Sequence, residues 1–310
     1  MAEPAIRLDH LTRDFTSVRA VDDMTFEVPA GVVFGFLGPN GSGKTTTIRL
    51  LLGLLEPTDG RAEVLGYDVR ERAGSIRERT GALLEHSGLY ERLTAEDNLE
   101  YYGRIWHLSP QDRAARIREL LTHIGLWERR KEVVSGWSRG MKQKLAVVRT
   151  LLHRPQLIFL DEPTAGLDPI AAAALREDLA ALAAQEGVTV FLTTHNLVEA
   201  EKLCSLVAVI RTGRLIAIGR PEDLRKRGKG PHVEVIGRGF GDAAVSALRA
   251  RPEVAGVSKG NGRLCIDLTG DAEVSPLIEL LVAHGAAIEE VLRDRGSLEE
   301  TFLTLMEEDR

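Results

Sequence analysis

The sequence predicts an α/β protein in two parts, and three observations predict it. A short apolar run at 32–38, VVFGFLG, leads into a glycine-rich stretch and then into the helical pattern TTTIRLLLGLL of residues 45–55. Residues 156–195 continue the alternation as QLIFLDE, IAAAALREDLAALAAQEG and VTVFLTTH. Strand–helix–strand with short connections implies parallel pairing in a sheet covered on both faces. The length, 310 residues, suggests one large domain or two at about 100–200 residues per domain, and the composition shift at residues 225–231 favours two.

The remaining elements follow in order. AIRLDHLTRDF and AVDDMTFEV read as short strands, with a turn near Thr16–Ser17 between them and Pro29-Ala30-Gly31 closing the second. Residues 94–152 are mostly helical. There Thr94…Asp97 and Ser109…Asp112 have the spacing of capping boxes. After residue 195 come a helix, LVEAEKLC, and two strands, LVAVIR and RLIAIG. The basic stretch Arg225-Lys226-Arg227-Gly228-Lys229-Gly230-Pro231 reads as a solvated linker, with phosphate or lipid-headgroup contact as the alternative. Beyond it, HVEVIG, GDAAVSALRA, EVAGVSK, RLCIDL, VSPLIELLVAHG, AAIEEVLR and SLEETFLTLMEE give β-α-β-β-α-β-α, a small α/β unit with no chemical motif.

The totals narrow the function. Forty Lys+Arg against 46 Asp+Glu leave a net charge of −6, without the basic excess of a nucleic-acid binder. No apolar run reaches the roughly 18–20 residues of a spanning helix. MAEPAIRLDH lacks the basic-then-apolar order of a secretory signal. Cys204 and Cys265 are far apart and lack metal-ligand spacing, so both read as buried thiols in a reducing compartment. A soluble, cytosolic, two-domain protein is expected.

Gly38-Pro39-Asn40-Gly41-Ser42-Gly43-Lys44-Thr45 fits G-x-x-x-x-G-K-[ST], with a strand before it and a helix after it. Glycines let successive N–H groups converge on an anion, and the helix adds its N-terminal partial positive charge. Lys44 is expected to reach β- and γ-phosphates, and the Thr45 hydroxyl to ligate Mg²⁺. LIFLDE is a buried strand ending in Asp161 and Glu162, at the sheet edge where α/β folds hold ligands. Asp161 suits Mg²⁺, directly or through water. Glu162 suits positioning and polarising the attacking water. His195 ends another buried strand at the same edge, within reach of a γ-phosphate oxygen.

With these residues in place, the chain resembles the ATP-binding subunit of an ABC transporter over residues 4 to about 222. Ser138-Arg139-Gly140-Met141-Lys142-Gln143 is similar to that family's signature loop, and Ala165-Gly166-Leu167-Asp168 to its D-loop. His195 is similar to its switch histidine, and Phe15 falls where an aromatic stacks on adenine. The resemblance implies a cassette fold, a mixed sheet with a helical subdomain at about 86–150, and ATP and Mg²⁺ as ligands. It places Gly38 to Thr45 and Thr46 on the nucleotide.

The resemblance also implies that two such subunits, identical or paralogous, pair head to tail. Ser138, Arg139, Gly140 and Met141 of one would then meet the γ-phosphate held by the other, beside Asp168. A separate integral membrane permease would receive the motion, which places the chain on the cytoplasmic face of the membrane. Tyr90, Tyr101, Tyr102 and Trp106 lie in the region that meets the permease, and they read equally as core.

Two residues depart from the family pattern. Glu85 replaces the usual Gln, offering Mg²⁺ a stronger ligand while adding negative charge beside the triphosphate. In Trp137-Ser138-Arg139-Gly140-Met141, Arg139 replaces a glycine and supplies a cation near the opposite phosphates. Such substitutions, with a C-terminal extension ending in Gly296-Ser297-Leu298-Glu299-Glu300-Thr301-Phe302-Leu303, resemble the drug- and antibiotic-export (ABC-2 type) subgroup. The expected domains are 1–224, a linker at 225–231, and an accessory unit at 232–310. A soluble relative acting on ribosomes or DNA is the alternative. A single cassette without a long heptad array speaks against it. A GTPase lacks its N-K-x-D motif here, and a small-molecule kinase leaves the signature-like loop without a purpose.

Overall fold

The computed structural model describes residues 3–225, 232–260, 262–269 and 272–294. The predicted linker beyond Arg225 and the segment from Gly296 to Leu303 lie outside the described residues, as does the last predicted helix. Two compact units result, Met1–Gly219 and Arg220–Arg310.

The first unit begins with β1 (Ile6–Phe15), β2 (Val18–Val28) and β3 (Val33–Leu37), then α1 (Lys44–Leu51). Residues 56–86, which carry no strong motif, form β4 (Asp59–Val64), β5 (Tyr67–Asp68), α2 (Ala73–Arg79) and β6 (Thr80–Leu83). The helical stretch is α3 (Ala95–Ile105), α4 (Pro110–His123) and α5 (Arg139–Leu151). There follow β7 (Leu157–Asp161), α6 (Pro169–Glu186), β8 (Thr189–Thr194), α7 (Leu197–Leu203), β9 (Leu206–Arg211) and β10 (Arg214–Gly219).

These strands make two sheets. One is antiparallel, in the order β2-β1-β4-β5. The other runs β10-β9-β3-β8-β7-β6, parallel except for β10 against β9. The central strands are apolar because both faces are covered, and Phe34, Phe36, Phe159 and Phe191 meet there with ring centroids 5.3–5.6 Å apart. Register brings the ends of β3, β7 and β8 level, with Leu37 opposite Thr194 and Asp161 opposite Thr193. That edge receives the phosphate loop. Helix α1 is shorter than its apolar pattern, because Gly53 takes φ +61 and turns the chain.

The N-termini of the helices are set by the expected caps. Thr94 and Ser109 accept from Asp97 and Asp112 N–H, and Ser138 and Asp168 cap α5 and α6.

The second unit opens with α8 (Pro221–Arg225). It continues as β11 (His232–Arg238), α9 (Asp242–Arg249), β12 (Val254–Gly260), β13 (Arg263–Leu268), α10 (Ser275–Ala283) and β14 (Ala287–Asp294). Its sheet is antiparallel, β12-β13-β11-β14, and Val233, Val235, Leu264 and Ile266 bury one face against Leu248, Leu277 and Leu281 of the helices. The two cysteines differ from expectation in part. Cys204 is buried, and desolvation, helped by Glu199, pushes its thiol up to about 12. Cys265 is only half-buried.

Candidate functional site

The loop from Gly38 to Thr45 wraps the start of α1, and its glycines are fixed by backbone geometry. Gly41 and Gly43 have φ +80 and +101. A Cβ on Gly43 would stand 2.2 Å from Ala20 O, so the β1–β2 hairpin closes on the loop only because the residue is glycine. Gly213 N donates to Ser42 O and Asp22 N to Gly213 O, bracing the loop from the far side.

Lys44 is buried and turns back over the loop. Its Nζ donates to Gly38 O (2.9 Å) and Pro39 O (3.1 Å) and lies 3.2 Å from Glu162 Oε1. Ser42 Oγ is buried without a hydrogen-bond partner among the described residues, which costs about 1–3 kcal/mol unless a ligand supplies one. A buried cation, an orphaned hydroxyl and a glycine cradle at a helix N-terminus fit a polyphosphate. Pro39, Asn40 and Gly41 are exposed on the outer side of the loop, and Thr46 is half-buried.

Thr45 Oγ1 donates to Asp161 Oδ2 at 2.6 Å, joining two of the three sequence-predicted metal ligands. One hydroxyl and one carboxylate, with substrate phosphates completing the shell, suit Mg²⁺. Glu85 lines the same cleft of ≈ 280 Å³ as Thr45, Asp161, Glu162 and Arg139, but its carboxylate pairs with Arg49 at 3.1 Å.

Glu162 sits between the Lys44 ammonium and the ring of His195, whose Nδ1 lies 3.1 Å from Glu162 Oε2. The backbone at Glu162 has φ +47, sparsely populated outside glycine. Thr193 holds it there: its hydroxyl accepts from Glu162 N (3.0 Å) and donates to Asp161 Oδ1 (2.5 Å). The sequence reading passed over Thr193, although a threonine inside an otherwise apolar strand is the available signal. Thr164 of the loop that follows Glu162, its partner Glu199, and Arg176 beside Glu199 were passed over as well, and Gln143 was read only as part of the signature-like loop.

Of the remaining expected residues, Arg139 lines this cleft, whereas Phe15, Ser138, Gly140 and Asp168 do not. Phe15 is 43% exposed at the end of β1, under the guanidinium of Arg13 at 4.8 Å. Ser138 accepts from Met141 N at 3.3 Å, so it caps its own helix, and Gly140 packs beside Ala171. Asp168 caps α6 through Ile170 and Ala171 N–H. Arg139, expected to face an opposing phosphate, donates instead to Ala165 O of its own D-loop at 2.9 Å.

A phosphate loop, a hydroxyl–carboxylate pair and a carboxylate flanked by lysine and histidine define a nucleotide hydrolase. Residues 21–165 match the family model described as ABC transporter. Over 315 aligned positions the chain is 37% identical to the daunorubicin resistance ATP-binding protein DrrA3 of Streptomyces coeruleorubidus, covering 100% of this chain and 98% of that protein. It is 39% identical over 224 residues to the bacitracin transport ATP-binding protein BcrA of Bacillus licheniformis, covering 72% of each. A solved structure of an ATP-binding subunit of an ABC transporter superposes with TM-score 0.63 at 32% identity, over 72% of this chain and 92% of that one. The chain belongs to the ATP-binding subunits of ABC transporters and is an ATPase.

Proposed function

We propose that this ATPase is the motor subunit of an exporter for a drug, antibiotic or lipid-like compound. It would act beside a separate integral membrane permease on the cytoplasmic face of the membrane. The observation that carries the motor reading is Glu162, held 3.2 Å from Lys44 Nζ and 3.1 Å from His195 Nδ1. The export reading is supported by similarity along the full chain to a daunorubicin resistance protein. Among the described residues, no helix is long and apolar enough to cross a membrane, so on this reading the crossing falls to a partner.

In the proposed mechanism the loop N–H groups and Lys44 bind the β- and γ-phosphates. Lys44 then exchanges its Gly38 and Pro39 carbonyl contacts for phosphate oxygens. Thr45 and Asp161 would hold Mg²⁺, which would supply neutralisation of charge on the phosphate oxygens. Glu162 orients and polarises the attacking water, and His195 fixes Glu162 and meets the γ-phosphate. The exposed faces of Ser138, Gly140, Met141 and Asp168 suit a head-to-tail second subunit, identical or paralogous, that completes the site. Phe15 supplies an exposed ring for the adenine.

The test is ATP turnover of the purified chain, alone and with its genomically adjacent membrane protein in lipid, beside Glu162→Gln. Stimulation by the membrane protein that Glu162→Gln abolishes is expected. Turnover indifferent to that protein counts against the transport reading and moves ribosome binding forward.

A further inference from the structure

We infer that the residues after Glu162 form a clamped junction, and that Gln143, Arg139 and Glu199 are positioning residues for Glu162. The inference rests on the reading of Glu162 as the group that orients water. Three consecutive loop residues are each gripped by a different side chain. Gln143 Nε2 donates to Pro163 O at 2.6 Å, Thr164 Oγ1 donates to Glu199 Oε2 at 2.5 Å, and Arg139 donates to Ala165 O at 2.9 Å.

The grips come from two sides. Arg139 and Gln143 are one turn apart on α5, so they share a face. The guanidinium packs on Gly166, whose φ is +70 and whose Cβ, if present, would stand 2.4 Å from it. Glu199 comes from α7, on the strand side, and is only 7% exposed. A buried carboxylate is costly unless partnered, and this one has Arg176 at 3.0 Å, Thr164, and the Thr194 hydroxyl at 3.4 Å. Thr194 immediately precedes His195. One carboxylate therefore holds both the loop that leaves Glu162 and the strand end that carries its histidine partner.

Strain gives the clamp a purpose. Glu162 has a positive φ, and such a backbone persists only where its surroundings over-determine it. Thr193 fixes the strand side of the residue, and the three grips fix the loop side. An apolar contact would join α6 and α7 equally well, whereas hydrogen bonds to successive loop residues set the loop's path. Movement of α5 or α7 then reaches Glu162 through two bonds or one.

Thr164→Val tests this directly, because it removes one hydroxyl and leaves the Arg176–Glu199 pair intact. We expect kcat for ATP to fall about 10-fold or more, since small misplacements of a positioned group are costly. KM for ATP should stay within about twofold, which separates positioning from binding. Tm should stay within about 2 °C, and Thr164→Ser should restore kcat to within about threefold. Thr164→Val turning over within about twofold of wild type would overturn the clamp. So would kcat and Tm falling together with no recovery in Thr164→Ser. Glu162→Gln runs alongside: if it keeps turnover, the assignment of Glu162 itself fails and the clamp with it. An inactive Glu162→Gln beside a fully active Thr164→Val removes the clamp alone.

Discussion

Thr45 Oγ1 donates to Asp161 Oδ2 across 2.6 Å, tying the first turn of α1 to the end of β7 over 116 positions of sequence. On the proposed reading, the contact preplaces a hydroxyl and a carboxylate where a small divalent cation would find both. Asp161→Asn keeps the hydrogen bond in shape but removes the charge. Its Mg²⁺ requirement for turnover should rise about 10-fold or more, and chelating Mg²⁺ should abolish turnover in the wild type. Titrating activity against free Mg²⁺ checks both. An unchanged Mg²⁺ midpoint in Asp161→Asn would remove Asp161 from the metal site.

Glu162→Gln should separate binding from chemistry. The amide still reaches Lys44 and His195 but no longer accepts a proton, so turnover should fall on the order of 10²–10⁴-fold. Binding of a labelled ATP analogue should persist, and an ATP-held dimer should accumulate on a sizing column. Retention of most of the turnover would sink the assigned role.

Lys44→Ala should act on binding instead. The side chain is buried and its ammonium already makes two hydrogen bonds inside the loop. Charge-assisted bonds are worth about 1.5–3 kcal/mol each, so ATP affinity should fall at least roughly 10-fold. Equilibrium titration with the labelled analogue reads this directly, and an unchanged Kd would contradict the phosphate-loop assignment.

Gly43→Ala should damage the loop through backbone geometry alone. Gly43 has φ +101, and an added Cβ would fall 2.2 Å from Ala20 O. A non-glycine residue there costs about 1–3 kcal/mol of strain before the hairpin moves aside. Lower Tm together with weaker ATP binding is expected by calorimetry. Stability equal to wild type would mean that the hairpin yields freely.

Much of the site was legible because its chemistry is local. The phosphate loop, Asp161 and Glu162 occupy short stretches, and the apolar strands before them set their edge. The partners that hold these groups were not legible. Thr193 touches Asp161 only through β7–β8 register, and Glu199 meets Thr164 only because α7 folds back on the loop. Glu85 and Arg139 show the same limit. Both read as departures from the family pattern, yet Arg49 pairs with the first and the carbonyl of Ala165 accepts from the second. Only Glu85 was read in residues 56–86, and their elements were not, because β4, β5 and β6 are short and depend on neighbours for their pairing.

His153 gives the fold a pH dependence of known sign. Its ring stacks on Trp106 with centroids 3.8 Å apart, and Nε2 lies 3.1 Å from Thr80 O, linking α3 to β6. Burial lowers its pKa from the ordinary imidazole range to about 4; the Thr80 carbonyl opposes this, and Arg116 and Arg149 add to it. The unfolded chain therefore takes up this proton first, so the stabilisation is full above about pH 6.5 and drains as pH falls toward 4. Allowing for its partial exposure, the loss is on the order of 2 kcal/mol. His153→Phe keeps a ring on Trp106 and cannot protonate. Its Tm should start somewhat below wild type at neutral pH, because the bond to Thr80 O is lost. On acidification it should then fall less steeply. Calorimetric scans from neutral pH down to about pH 4.5 check this. Parallel Tm curves for the two proteins would show that His153 does not stay neutral in the folded state.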